Sequence, residues 1–565
     1  MTAVNQLNVV FCWHMHQPDY RDHVSGEFAL PWTYLHAIKD YTDMAWYLEQ
    51  NQKARAVFNF VPILLDQLQD YSDQFATGTL RDPLLRLLAQ PDLNNIGVAD
   101  RALLLGSCFR ANQATMIDPY PAYRQLQAWS EVIPTKGDGA GYLSGQYFAD
   151  LLMWYHLTWF GETVRRDNPQ IALWLAQAKG YTATDRGNLF HLIGKLLTDL
   201  MPRYRALLAS GQIELSTTPH HHPITPLLLD FASAKESWPD VTLPLSAHYP
   251  GGAERARHHL RSAGESHRKR FGAMPHGIWP AEGGLSLATA KLFAEEGYAW
   301  TATGEAVLRN SLKATGQLPE ERAGYLYRPY RVHSERNSIT VFFRDDRLSD
   351  KIGFEYAKWL GKDAALDLVR ELESIAESAP AGETPTVSII MDGENAWEYY
   401  PYNGFYFLSE LYSLLTHHTA ISLTTFGVLL QQENFHARTT DLPAITAGSW
   451  VYGTFSTWIG SAPKNKAWDL LCAAKRSYDD QVNMLSESAR KTAEQQLASC
   501  EASDWFWWPG DYNPSASVQS FDVLFRQNLA NLYRLLELPI PNALNHPLSA
   551  GTEHGELSGA MRRVS

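Results

Sequence analysis

The sequence is poor in cysteine: Cys12, Cys108, Cys472 and Cys500 are scattered over 565 residues with no C-x-x-C pair. That pattern argues against a structural zinc and fits a reducing compartment. No apolar run approaches the length of about 18 residues that a membrane helix requires. The first residues, MTAVNQLNVVFCWH, offer neither a basic start nor a small-residue cleavage site. The expectation is a cytoplasmic protein without a membrane partner. Basic charge is scarce as well: the net charge is −13, and HRKRF at 267–271 is the densest basic cluster. A nucleic-acid partner needs a continuous basic face, so that class is excluded. No G-x-G-x-x-G follows the first strand candidate, which removes a dinucleotide-binding crossover.

Aromatic residues are plentiful, with 18 Trp, 27 Tyr and 23 Phe, several of them in polar surroundings. Flat rings among polar groups suit the faces of sugars, and they also suit an aromatic-rich core. Short apolar, β-branched runs read as strands at 8–13, 56–61, 212–218, near 278, 299–303, 338–343, 387–391 and 421–426. Helical segments separate them, the alternation of an α/β fold built as a β/α barrel. Helical periodicity from about 66 to 211 reads as an insertion within a barrel spanning 1–435. Residues 436–565 lack convincing strands and carry helical patterns at 467–499 and 521–536. They read as a C-terminal helical subdomain, with a polar, disordered end after about 545.

Several candidate strands end in chemistry-bearing residues. The first delivers His14 and His16, which point the same way in an extended chain, a spacing that suits either a metal or two hydrogen-bond donors. Glu214 alternates with apolar neighbours and faces either solvent or the barrel interior. Trp279-Pro280-Ala281-Glu282-Gly283-Gly284 places a carboxylate beside two glycines. Asp345 and Asp346 follow another strand, His220 to His222 another, and Asp392-Gly393-Glu394 ends the run 387–391. The ends of parallel barrel strands converge on one rim. Two carboxylates from different strands among tryptophans are what glycosidic chemistry needs.

With HQP at 16–18, GQIE at 211–214, WPAE at 279–282, DGENAWE at 392–398 and a Trp-containing region at 448–468, the chain resembles glycoside hydrolase family 57. Its motif sequences are most similar to the amylopullulanase and α-amylase group. The resemblance implies an incomplete TIM-like (β/α)7 barrel with a C-terminal α-helical bundle, and an enzyme acting on α-glucans or maltooligosaccharides with retention of configuration. It implies Glu282 as nucleophile and Asp392 as general acid/base, with His14, His16, Glu214 and Trp279 at the substrate. His222, Asp345 and Asp504, with Trp32, Trp397, Trp450 and Trp458, are expected to complete the sugar-binding surface. No metal and no cofactor are expected, and the oligomeric state stays open. One departure stands out: His220 and His221 occupy positions where that group often has two tyrosines. Three alternatives share parts of this pattern: a 4-α-glucanotransferase, a metal-dependent polysaccharide deacetylase-like barrel using the histidines, and a non-catalytic glucan binder.

Overall fold

The computed structural model describes residues 5–132, 138–380, 382–510 and 512–552. Its strands, in chain order, are β1 (Leu7–Met15), β2 (Ala56–Phe60), β3 (Ile213–Thr217), β4 (Gly277–Ile278), β5 (Trp300–Gly304), β6 (Tyr330–His333), β7 (Ser338–Arg344), β8 (Thr386–Asp392), β9 (Ile421–Leu423) and β10 (Thr440–Asp441). Parallel pairing runs β8-β1-β2-β3-β4-β5-β7, and the Arg344↔Ser388 pair between β7 and β8 closes a seven-stranded barrel. The longest ladder joins β1 to β8, from Asn8↔Thr386 to His14↔Asp392. β6 lies antiparallel on β7, β10 follows β6, and β9 pairs with Leu7 to Val9 at the start of β1.

The strand expected at 421–426 is therefore not a barrel stave. Only Ile421–Leu423 is extended, after which Thr425 caps the helix Phe426–Leu430. That helix closes the bottom of the barrel. Phe426 and Leu429 pack with Val10, Cys12, Val57, Trp300, Phe342 and Ile390. The close packing near β4 requires glycine at 277, where a Cβ would lie 1.8 Å from the Trp300 ring.

Alternation along each strand turns this plug into a site. Side chains two residues apart share a face. Val10 and Cys12 lead to His14, Val57 to Asn59, Phe342 to Arg344, and Ile390 to Asp392. The barrel interior is thus apolar below and polar at the C-terminal ends of the strands.

Helices from Pro62–Thr77 to Ala183–Ala209 lie between β2 and β3, and Ala462–Gln481, Glu487–Cys500 and Ser515–Leu535 follow the last strand. The continuous helical pattern expected at 467–499 breaks at 482–486, where the Ser486 side chain accepts the Ala489 N–H and starts a new helix. A buried ion cluster ties this region to the helix Gly252–Phe271. The Glu501 carboxylate accepts from Arg255 at 2.8 Å, His259 at 2.7 Å and Tyr249 at 2.5 Å. Within the stretch expected to be disordered, Leu548 is buried and donates its N–H to Asp522. Residues 553–565 of that stretch lie outside the described residues, as does Asp511 of the aromatic segment. Among the described residues no helix is long and apolar enough to cross a membrane.

Candidate active site

The polar layer opens into a cavity of about 770 Å³ at the C-terminal rim. Glu282 and Asp392 both line it, together with His14, His16, Trp32, His222, Trp450 and Asp504. Glu282 sits in a left-handed backbone conformation, φ 57°, directly after the Pro280 bend. For a non-glycine residue this is a strained geometry that the surrounding contacts must hold. They do so at both carboxylate oxygens: Ser503 Oγ is 3.1 Å from Oε1, and Trp450 Nε1 donates to Oε2 at 3.3 Å. The Trp450 backbone N–H also donates to the Glu282 carbonyl at 3.1 Å.

Asp392 ends β8 opposite His14, and its Oδ2 accepts from Asn395 at 2.9 Å. Burial pushes the Asp392 carboxyl up to about 6, against the pull of Asn395, His16 and Arg344. Burial also raises Glu282, to about 8, reinforced by the negative charges of Asp504 and Asp392 and opposed by Ser503 and Trp450. Two raised carboxyls that feel each other titrate as a pair, holding one proton between about 6 and about 8. Glu394, in the same motif, lies in the cavity wall and is raised by burial and by Asp392. The His16 backbone and a 3.4 Å contact from Gln17 to Oε1 oppose that rise, while Oε2 is buried with no hydrogen bond of ordinary geometry among the described residues.

The histidines form a stacked cluster. His16 and His222 have ring centroids 3.8 Å apart, and His16 Nε2 lies 3.0 Å from Asp504 Oδ1. His16, His222 and Asp504 bring ligand-capable atoms within 4.8 Å of one another. Hydrogen bonds engage these groups without an ion, since His222 Nε2 bonds His14 and its Nδ1 bonds Ser503. The triple histidine does not converge: His220 bonds Asp66 and Ser262 instead, and the His221 ring lies edge-on to His259. Two of the three histidines that the metal-dependent reading called on thus lie apart from His14 and His16.

Five expected substrate residues lie away from the cavity lining. Glu214 points into the barrel one layer below, where Trp300 Nε1 and the Gly427 N–H each donate to it at 2.7 Å. Trp279 is fully buried, packed edge-on against Trp450 at 5.3 Å, and so supports that ring from beneath. Asp345 caps the helix Asp346–Asp350 and is engaged by Arg322 and Tyr327. Trp397 folds back to donate to the Gly393 carbonyl at 2.8 Å, and Trp458 is buried against Trp507. Each has its polar or aromatic capacity used by the fold. We expect Glu214→Gln to cost about 1–3 kcal/mol, because the new amide turns a donor toward one of two buried donors. Thermal melts should register that loss while KM for maltoheptaose stays unchanged; a raised KM would place Glu214 at the sugar.

Other residues of the site and its lining carried no motif. Ser503, beside Asp504, comes from the segment entering the helix Asp504–Trp507, while Trp507, Trp508 and Phe521 form an aromatic wall with Trp508 stacked on Phe521 at 4.7 Å. Arg110 and Trp159 reach the rim from the helices between β2 and β3. Only the crowding of tryptophans at 505–508 hinted at that wall.

The fold has relatives among solved structures. A branching enzyme of family 57 from Thermococcus kodakaraensis superposes with a TM-score of 0.57 at 15% identity, over 94% of this chain and 90% of that one. A 4-α-glucanotransferase from Thermococcus litoralis gives a TM-score of 0.50 at 14% identity, over 94% and 60%. An α-amylase from Thermotoga maritima gives 0.52 at 13%, over 94% of each chain. No curated protein matches the sequence. The family model of glycosyl hydrolase family 57 matches residues 10–442, most of the chain and the barrel from Val10 of β1 onward, and the chain belongs to that family.

Proposed function

We propose that the protein cleaves α-glucosidic bonds of starch- or glycogen-type glucans or maltodextrins by double displacement, with Glu282 as nucleophile and Asp392 as general acid/base. The observation that carries this reading is the treatment of Glu282: both carboxylate oxygens meet fixed side-chain groups, and its strained backbone aims it into the cavity that Asp392 shares. Glu282 attacks the anomeric carbon while Asp392 protonates the departing oxygen. Asp392, now ionised, then takes a proton from the incoming hydroxyl as the glycosyl–Glu282 ester breaks. His16 and Asp504 offer polar contacts to the sugar, His14 lines the cavity with both ring nitrogens engaged, and Trp32, Trp450 and Trp508 offer flat faces.

The incoming hydroxyl belongs to water in a hydrolase and to a second sugar in a transferase. The motif sequences favour the amylase and amylopullulanase group. The aromatic wall of Trp507, Trp508 and Phe521 favours the second reading, a 4-α-glucanotransferase, because such a wall can seat an acceptor sugar in place of water. A product profile on maltoheptaose, pullulan and glycogen decides. New reducing ends growing with each cleavage establish hydrolysis of α-1,4 bonds, and release of maltotriose from pullulan adds α-1,6. Redistribution of chain lengths at constant reducing ends establishes transfer. No change in any of the three substrates overturns the proposal.

A further inference from the structure

The contacts of Glu282 continue beyond Ser503. Ser503 Oγ lies 2.8 Å from His222 Nδ1, His222 Nε2 lies 3.1 Å from His14 Nε2, and His14 Nδ1 lies 2.7 Å from Asn59 Oδ1. The far end of this chain fixes the direction of its hydrogens. Asn59 Nδ2 is 2.7 Å from the Thr217 carbonyl, which can only accept. Asn59 Oδ1 therefore faces His14 and the Thr218 hydroxyl as an acceptor. His14 carries its hydrogen on Nδ1. Burial holds this ring neutral, lowering it to about 3, so His14 Nε2 is a lone pair. The facing His222 Nε2 must then be the donor.

That leaves His222 Nδ1, Ser503 Oγ and Glu282 Oε1 in line, with two self-consistent arrangements. With His222 neutral, Ser503 donates to Nδ1 and accepts from a protonated Glu282. With His222 charged, Nδ1–H donates to Ser503 and Ser503 donates to a Glu282 carboxylate. The two contain the same number of protons. They interconvert when Glu282 gives its proton to Ser503 Oγ and Ser503 passes its own hydrogen to His222 Nδ1.

We propose that Ser503 is a positioning residue that conducts the proton of Glu282 to His222, so that the nucleophile becomes a carboxylate as it attacks while the proton stays in the site. The inference rests on Glu282 being the nucleophile. The elements of the relay are held rigidly. His222 has a left-handed backbone, φ 61°, and its carbonyl accepts the Ser503 N–H at 2.9 Å. Two residues before Ser503, Glu501 is anchored by Arg255 and His259.

The charged groups around the relay set its resting state. Burial disfavours positive charge at His222, and the neighbouring His16 and His14 add to that. Asp504 and Asp392 disfavour negative charge on Glu282, while Trp450 Nε1 supports it at the other oxygen. Arg344 adds positive charge next to Asp392, and Glu394 in the cavity wall is pushed toward its neutral form by burial and by Asp392. The proton thus rests on Glu282 in the free enzyme. Positive charge developing at the anomeric carbon during attack pulls it across.

The consequence is a wider working range on the acid side. Without the relay, a second proton on the Glu282/Asp392 pair disables the nucleophile. With it, the second proton moves to His222 and the pair remains competent. The test is the pH dependence of kcat/KM on maltoheptaose for the wild type, Ser503→Ala and Ser503→Thr, with Glu282→Ala assayed in parallel with and without azide.

The wild type should hold its plateau to within about threefold at pH 5. Ser503→Ala should fall as the pH drops through about 6, reaching about tenfold below its own plateau one unit lower. Ser503→Thr, which keeps the hydroxyl, should restore the wild-type limb. An unchanged acid limb in Ser503→Ala overturns the relay. The wild-type limb is a readout that depends on no variant: a fall beginning at about 6 also overturns it. If either happens while Glu282→Ala is inactive and rescued by azide, the relay alone is wrong. An active Glu282→Ala withdraws the nucleophile, and the relay with it.

Discussion

Replacing Glu282 by glutamine should lower kcat/KM on maltoheptaose by roughly 10⁴-fold or more, the scale on which losing a covalent nucleophile acts. The amide is nearly the same size and keeps an oxygen for Ser503, but it cannot form the glycosyl ester. Glu282→Ala leaves a cavity that azide can enter. With azide present, activity should return with a glycosyl azide of inverted configuration as product. Residual turnover in the glutamine variant, or an alanine variant indifferent to azide, would remove Glu282 from the role. The fold should not suffer. Because the Glu282 pKa is raised from 4.5 to about 8 in the folded state, the folded protein binds a proton that the unfolded chain releases. Its contribution to stability is full below about 4.5 and is lost as the pH rises toward 8. Glu282→Gln removes that loss, so its melting temperature should gain on the wild type as pH increases, reaching its largest advantage at about 8. Thermal melts at three pH values check this independently of catalysis.

The seven barrel strands and the convergence of His14, Glu282 and Asp392 were legible because the signals are local. A buried parallel strand is an apolar run, and its rim residue is the first polar group after it. Strand 421–426 misled for the same reason: Phe426 and Leu429 are apolar because they plug the barrel, an identical pattern with a different cause. Rim position alone did not identify sugar contacts. Trp397 sits inside the most informative motif, yet its indole is spent on the Gly393 carbonyl, and Asp345 on a helix cap and Arg322. Glu214 was one strand step too deep, a depth that depends on register across β2 and β3. Ser503 left no local mark. Its importance arises from meeting Glu282 across 221 positions of sequence, after the Arg255–Glu501 ion pair has fixed the intervening segment.

Replacing Asp392 by asparagine should cost 10²- to 10⁴-fold on maltoheptaose, the usual worth of a positioned general acid/base. The same variant should lose far less in the glycosylation of α-maltosyl fluoride, whose leaving group departs without a proton. A variant equally impaired on both substrates would assign Asp392 to binding and not to proton transfer. The pH profile sharpens the test. In the wild type the carboxyl pair keeps one proton up to about 8, and losing it leaves no acid for the departing oxygen, so activity falls as pH rises through that value. Asparagine removes the acid, and with it the reason for that alkaline limb. With the Ser503 hydroxyl removed as well, what remains is the requirement that Glu282 be ionised, so fluoride turnover of Ser503→Ala/Asp392→Asn should rise with pH to a plateau. The rise should lie below the wild-type value of about 8, because Asp392 no longer adds its negative charge beside Glu282. An alkaline fall that persists in Asp392→Asn would mean that another group supplies the proton. The raised, incompletely hydrogen-bonded Glu394 in the same cavity wall would be the group to replace next.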